Sequence, residues 1–342
     1  MTLPEMSISR NKGTLAQGVE LSVVVPAHNE SKNVEALVER LVPVLEQCVA
    51  SFEIIFVDDG STDDTLERLR AANRADPRVR VLSLSRNFGK EIAIAAGLDH
   101  AAGRAAVIMD ADLQHPPELI ETFVARWREG YKNVFAQQID RARYSPMRRF
   151  LTRWFYQIFG SVGEMRLQTG AGDFRLLDRQ AVSALQKLGE HARFSKGLYA
   201  WIGFKATGVP FDPAPRLHGE TKFSYRRLTH LALDGLMSFS TLPLRVWTYV
   251  GLATSTLALT LATFYLVRTI LFGVVVPGYA SLIVSITFFS GIQLLSLGII
   301  GEYIGRIFAE VKRRPLYLIE ERVGFEGFEA AGANPSARLP SA

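Results

Sequence analysis

Cysteine is nearly absent: Cys48 is the single one in 342 residues. That excludes an internal disulfide and any multi-cysteine zinc site, and it fits a reducing compartment. Cys48 lies in an apolar helical pattern and reads as a small core residue. Glycine-rich signatures are missing too. No GxGxxG, GxxxxGK[ST] or GxSxG occurs, so a dinucleotide dehydrogenase, a P-loop NTPase and an α/β-hydrolase lose their usual support. Residues 1–18 carry Arg10 and Lys12 but no apolar segment, which argues against a secretory signal and for a mobile tail. Charge is missing from two long stretches, Trp247 to Val267 and Tyr279 to Ile300.

What is present divides into two halves. The chain is 48% hydrophobic and 21% charged with a formal charge of +5, a balance that suits an anionic membrane surface or phosphorylated substrates as well as nucleic acid. Residues 19–240 read as a soluble α/β domain. Leu21–Val25, Phe52–Val57, Val79–Leu84 and Ala105–Met109 are short apolar, β-rich runs. Between them, helical patterns run over Glu30–Leu45, Asp64–Ala72 and Glu91–Ala101. Strand and helix alternating at this spacing predict a doubly wound, mostly parallel sheet, in which ligands bind beyond the carboxyl ends of the strands. Polar clusters fall at those ends: Pro26-Ala-His-Asn-Glu30, Asp58-Asp-Gly-Ser-Thr-Asp63 and Asp110-Ala-Asp112.

The stretch Asp110-Ala-Asp-Leu-Gln-His-Pro-Pro-Glu118 organises the rest. If the chain stays extended past the fourth strand, residues at i and i+2 point the same way, so Asp110 and Asp112 converge and Gln114 continues the spacing. Such an oxygen set suits Mg²⁺ or Mn²⁺ carrying substrate phosphates. The competing reading is an acidic turn that caps the helix from Pro117. His115 is a further possible ligand, weighed against support of the Pro116-Pro117 turn. For Asp58 the structural alternative is a cap on the following helix, and Ser61 and Thr62 are expected to act as such caps.

Together, Val25-Pro-Ala-His-Asn-Glu30, Val57-Asp-Asp-Gly-Ser-Thr-Asp63, Arg86-Asn-Phe-Gly-Lys90 and Asp110–Glu118 resemble the family 2 glycosyltransferases of GT-A fold. The likeness is to their polyprenyl-phosphate branch, the dolichol-phosphate mannose synthase and undecaprenyl-phosphate glucosyltransferase type. It extends through Gly172-Asp-Phe-Arg175, Thr221-Lys-Phe-Ser224 and Gly301-Glu-Tyr-Ile-Gly-Arg306, most of residues 20 to 320. His28 stands where the family usually has Tyr, and Thr169-Gly-Ala-Gly172 is a variant lead-in. The resemblance implies that Pro26, Asn29, Glu30, Asp58, Asp59, Lys90, Asp110, Ala111 and Arg193 bind the nucleotide sugar. It further implies that Asp110, Asp112 and Gln114 bind the metal, and that Asp112 and Asp173 are catalytic. A lipid monophosphate, with a second pKa of about 6, is already an anionic nucleophile at neutral pH, so Asp173 need not be a strong base.

From Arg141 to Phe159 the chain interleaves arginines with Tyr144, Phe150, Trp154 and Phe155, the pattern of amphipathic helices at a membrane interface rather than of nucleic-acid binding. Arg143, Arg149 and Lys222 are the expected acceptor-phosphate ligands. Residues 241–305 are expected to form a two-helix transmembrane hairpin, over about 247–268 and 279–301, since each uncharged run exceeds the roughly 20 residues that span a bilayer. Arginines before the first run and Arg306, Lys312, Arg313 and Arg314 after the second put the catalytic domain and both termini in the cytoplasm. Residues 306–342 form a C-terminal segment, expected to be disordered from about 324.

The sequence thus predicts an inverting, metal-dependent transferase of the cell membrane. It moves one sugar from a UDP- or GDP-sugar to a polyprenyl phosphate, with a homo-oligomer, a tetramer among the options, implied by the resemblance. The alternatives are a processive polysaccharide synthase, disfavoured by the short membrane region and the lack of QxxRW, and a non-catalytic membrane scaffold that keeps the fold.

Overall fold

The computed structural model describes residues 18–138, 171–190, 193, 195–211, 242–273, 278–312 and 314–325. The expected tail at 1–17 and the aromatic, arginine-rich connector lie outside them, as do Arg143, Arg149 and Lys222.

Each apolar run becomes a strand: β1 (Leu21–Ala27), β2 (Phe52–Asp58), β3 (Val79–Leu84) and β4 (Ala105–Ile108). Their residues are nearly all buried, because helices cover both faces and leave no solvent side for alternation. The helices between them are α1 (Val34–Cys48), α2 (Thr65–Ala75) and α3 (Lys90–His100), followed by α4 (Leu119–Arg128). In α1 the spacing of Val34, Leu37, Leu41 and Leu45 puts all of them on the buried face, and the helix runs through Pro43. Its start is Val34 rather than Glu30, because Asn29 takes a left-handed φ of 57° and the chain turns before it coils.

The second half adds β5 (Asn133–Gln138), β6 (Ala171–Asp178), α5 (Arg179–Gln186), α6 (Ser195–Trp201) and β7 (Ala206–Phe211). A last strand, β8 (Ile319–Val323), follows two long helices, α7 (Leu242–Phe272) and α8 (Tyr279–Val311). The sheet order is β7-β5-β6-β4-β1-β2-β3-β8. β1 pairs in parallel with β2 and β4, β2 with β3 and β5 with β7; β6 runs antiparallel to β4 and β5, and β8 to β3.

One face of the sheet packs on α1, α2 and α4 through Leu37, Leu41, Leu45, Leu69, Ile120 and Phe123. The other packs on α3, α5 and α6 through Ile94, Leu98, Val182, Leu185 and Leu198. Each fully buried Leu or Phe contributes about 1.5–3 kcal/mol relative to exposure. The GT-A-like α/β architecture with a mostly parallel sheet is therefore present.

Two expectations change. Disorder from about 324 does not extend to Gly324 and Phe325: the Phe325 ring packs against His100 at 5.9 Å and takes the Arg80 guanidinium at 5.5 Å. Where the hairpin is expected, two long helices, α7 and α8, approach each other. By length and composition, however, a single stretch among the described residues qualifies to cross a membrane, Val284–Val311; the apolar part of α7, Val246–Leu261, is shorter. Leu257, Phe264, Ile270, Phe288 and Leu295 on these helices are all more than half exposed.

Candidate active site

In the order 3-2-1-4 the sheet reverses direction of winding between β1 and β4, and ligands of such sheets bind outside the carboxyl ends at that switch point. The carboxyl ends of β1, β2 and β4 bring the predicted polar clusters to this place.

The β1–β2–β3 side is a hydrogen-bonded brace. Asp58 and Asp59 are 2% and 3% exposed. Asp58 accepts from Ser61 N (3.2 Å) and Ser83 Oγ (3.2 Å), and Asp59 accepts from Phe88 N (2.7 Å) and Gly89 N (2.9 Å). His28 contacts the Asp59 carbonyl through Nδ1 (2.9 Å) and Asn87 through Nε2 (3.2 Å). Asn29 Oδ1 accepts from Thr62 N (2.8 Å), and Asn29 N donates to Ser61 Oγ (3.0 Å). Ser61 and Thr62 therefore cross-link two loops instead of capping α2, whose N-cap is Asp64. Gly60 is required here: its φ is 61°, and a Cβ would lie 2.5 Å from the Arg86 carbonyl carbon. Glu30 sits beside this brace, accepting from Asn33 Nδ2 at 2.6 Å. Pro26, the penultimate residue of β1, lies opposite Val57.

The β4–β6 side gathers charge. After Ile108 the chain leaves the strand and turns, with Leu113 buried at a φ of 57°. This corrects the extended-chain argument for Asp110 and Asp112: a turn brings them together, closed by Gln114 N donating to Asp112 Oδ1 (3.2 Å). A left-handed, β-carbon-bearing residue held in the core is backbone strain of about 1–2 kcal/mol. Ala111, at 4% exposure, packs into the core beneath this turn.

Ligand atoms of Asp110, Asp112 and His115 all lie within 4.8 Å of one another. His115 packs against Phe174 (5.0 Å between ring centroids), and its Nδ1 is buried with no hydrogen-bond partner. Burial lowers its pKa against the pull of Asp110 and Asp112, so at neutral pH the ring keeps a lone pair. Two carboxylates and a neutral imidazole converging in this way fit a divalent cation such as Mg²⁺ or Mn²⁺. The turn that moves His115 into the set was not apparent from spacing, although the histidine was.

Because β6 is antiparallel to β4 and Ile108 pairs with Arg175, Asp173 arrives at the level of Asp110. Lys90 Nζ lies 2.6 Å from Asp110 Oδ1 and 2.9 Å from Asp173 Oδ2. Burial works against the Lys90 charge, but the two carboxylates outweigh it and raise its pKa. Burial likewise opposes ionisation of Asp173, and Lys90 and Lys196 overcome it to hold the carboxyl well below the usual range. Beneath Asp173, the Arg175 guanidinium is buried, stacked 3.6 Å from the Tyr199 ring centroid and bonded to the Gly172 carbonyl (2.6 Å).

Sequence reasoning missed Glu91 and Lys196. Glu91 accepts from Ser195 Oγ, and burial with the nearby Asp173 charge pushes its pKa to about 7. The signal available was the Arg86–Lys90 motif, to which Glu91 is adjacent. Arg193, expected on the donor, instead caps the end of α5 by donating to the carbonyls of Leu185 (3.2 Å) and Leu188 (3.1 Å). Its charge reaches the site only over distance. Asp58 and Asp59 are both buried, with their carboxylates accepting hydrogen bonds from the loops around them.

The sheet thus carries, at its switch point, two carboxylates and a histidine that could hold a divalent ion, with the Asp173 carboxylate nearby. Residues 22–185 match glycosyl transferase family 2. An uncharacterised glycosyltransferase of Synechocystis is 49% identical over 308 residues, 90% of this chain and 97% of that protein. The bactoprenol glucosyl transferase of Shigella phage SfII is 40% identical over 311 residues, 89% of this chain and 98% of its own. Among solved structures, a mannosyltransferase of Pyrobaculum calidifontis in complex with GDP-Man and Mn²⁺ is 18% identical, covering 83% of this chain and 87% of that one at a TM-score of 0.45. The chain belongs to glycosyltransferase family 2 and is a glycosyltransferase.

Proposed function

We propose that the protein transfers a single sugar, with inversion, from a UDP- or GDP-sugar to a polyprenyl phosphate at the membrane face. The observation that carries this reading is the convergence of Asp110, Asp112 and His115 next to Asp173, with long apolar helices following in the same chain. Asp110, Asp112 and His115, with Gln114 beside them, would hold a Mg²⁺ or Mn²⁺, whose positive charge would stabilise the leaving diphosphate. The acceptor phosphate oxygen forms the new bond to the anomeric carbon as the bond from that carbon to the diphosphate breaks. No proton has to be removed from a phosphate dianion.

Asp173, pinned by Lys90 and backed by Arg175, orients the sugar or the acceptor. Asn29, Glu30 and Pro26 border the nucleoside end, which Asp58 and Asp59 keep in shape. Lys196 joins Arg143, Arg149 and Lys222 as a cation for the phosphates. The apolar helices, read as a hairpin in the cell membrane with catalytic domain and termini on the cytoplasmic side, hold the lipid phosphate at one depth and so raise its local concentration. The names of relatives called bactoprenol glucosyl transferases support undecaprenyl phosphate as acceptor and glucose as the sugar.

The test incubates the reconstituted full chain with undecaprenyl phosphate, Mg²⁺ or Mn²⁺ and a panel of radiolabelled nucleotide sugars. A lipid carrying one sugar is the expected product. Polymer would point to a processive synthase, and no product from any donor to a scaffold.

A further inference from the structure

Lys90 sets a constraint that the reaction scheme leaves unused. Its ammonium lies within 2.9 Å of both Asp110 oxygens and of Asp173 Oδ2. One of those Asp110 oxygens belongs to the donor set with Asp112 and His115. An ammonium and a divalent ion cannot both sit within bonding distance of one carboxylate without strong mutual repulsion. The backbone around Lys90 is fixed, because Phe88 N and Gly89 N are held by Asp59 and Lys90 starts α3. Its side chain is about 40% exposed, on a flexible four-carbon stem.

We propose that Lys90 is a displaceable internal counter-ion that makes metal and nucleotide binding cooperative. It holds Asp110 and Asp173 together, and a divalent ion takes Asp110 only by moving the ammonium aside. A nucleoside diphosphate gives that ammonium a new anionic partner, so the ion binds weakly alone and tightly with the nucleotide. By the reciprocity of coupled equilibria, the nucleotide likewise binds better with the ion. Asp59, on the far side of the brace, acts on this exchange by fixing where Lys90 begins. The proposal rests on the metal-assisted reading above.

The experiment titrates Mn²⁺ into the full chain in detergent, reading free Mn²⁺ by EPR, with and without UDP and in parallel GDP. Wild type, Lys90→Met, Lys90→Arg and Asp112→Ala are compared, with circular dichroism to confirm folding. Lys90→Met removes the charge at similar volume. It is expected to tighten Mn²⁺ binding without nucleotide by about 5- to 150-fold, the usual span of such couplings, and to reduce the gain on adding nucleotide. Lys90→Arg keeps the charge and is expected to bind Mn²⁺ alone as weakly as wild type. Unchanged or weaker Mn²⁺ binding by Lys90→Met, or a gain on adding nucleotide that the substitution leaves undiminished, overturns the proposal while the metal assignment stands. Mn²⁺ binding that Asp112→Ala leaves untouched overturns the metal assignment and the proposal with it.

Discussion

Acidic residues at the ends of β2 and β4, the parallel strands on either side of β1, have opposite fates. Asp58 ends β2 and Asp59 follows it; both are almost wholly buried, their oxygens taken by backbone N–H groups and the Ser83 hydroxyl. Asp110 follows β4 and stays partly open, answered by a lysine, with Asp112 and His115 at hand. The first pair makes a shape; the second group makes a field. A carboxylate satisfied by fixed dipoles is a structural part with little left to give a ligand, whereas one balanced by a mobile cation can exchange that cation.

The largest expected effect tests the open side alone. Asp112→Ala removes one ligand and is expected to lower transfer by about 10³-fold, with the melting temperature little changed. A transfer assay alongside a thermal melt checks both halves, and near wild-type turnover would remove Asp112 from the ion's ligands. Asp173→Asn keeps the shape of the side chain and deletes its charge. If the acceptor needs no base, turnover falls by less than about 10²-fold, the lower bound typical of lost base catalysis. A steeper loss with natural acceptor would return Asp173 to the role of base.

On the closed side, Asp59→Asn puts an amide against the Phe88 or Gly89 N–H. Losing such a bond costs about 1–3 kcal/mol, so donor affinity should drop roughly tenfold while kcat at saturating donor is largely kept. A fall in kcat with KM unchanged would erase the distinction between the two sides.

The smallest effect concerns pH. Burial and the Asp173 charge push Glu91 up to about 7 in the folded chain, from the ordinary carboxyl value of 4.5 when unfolded. Between those values the folded state binds more protons, so this carboxyl's stabilising contribution is complete below about 4.5 and fades as pH rises to about 7. Thermal melts across that window should therefore decline less steeply for Glu91→Gln than for wild type, and parallel curves would show that Glu91 is not the group concerned.

The sequence carried the parallel core well, since Val- and Ile-rich runs such as Leu21–Val25 have few alternatives once helical patterns separate them. Asp110 and Asp112 were legible because they follow a strand, and Asp173 through the resemblance carried by Gly172–Arg175; the antiparallel register of β6 then sets their meeting. Side-chain direction past a strand end was not legible. Whether Asp59 points into a cleft or into a loop depends on Phe88 and Gly89, far along the chain, and the left-handed turn at Leu113 has no residue that announces it. Strand β8 was hidden because its alternation of Ile319, Glu321 and Val323 with outward Glu320 and Arg322 reads as a charged tail until β3 offers an edge.

That strand also changes how the molecule carries load. β7 and β8, which precede and follow the long helices in sequence, occupy opposite edges of the sheet. At the β8 edge, Arg70 pairs with Glu321, the Tyr317 hydroxyl donates to Asp99 (2.9 Å), and Ser85 N donates to the Leu318 carbonyl (3.0 Å). A pull on α8 therefore passes along the chain to β8 and its ladder with β3. Ser85 begins the loop that leads to Lys90, so tension at the helices and geometry at the sugar-transfer site share one short piece of backbone.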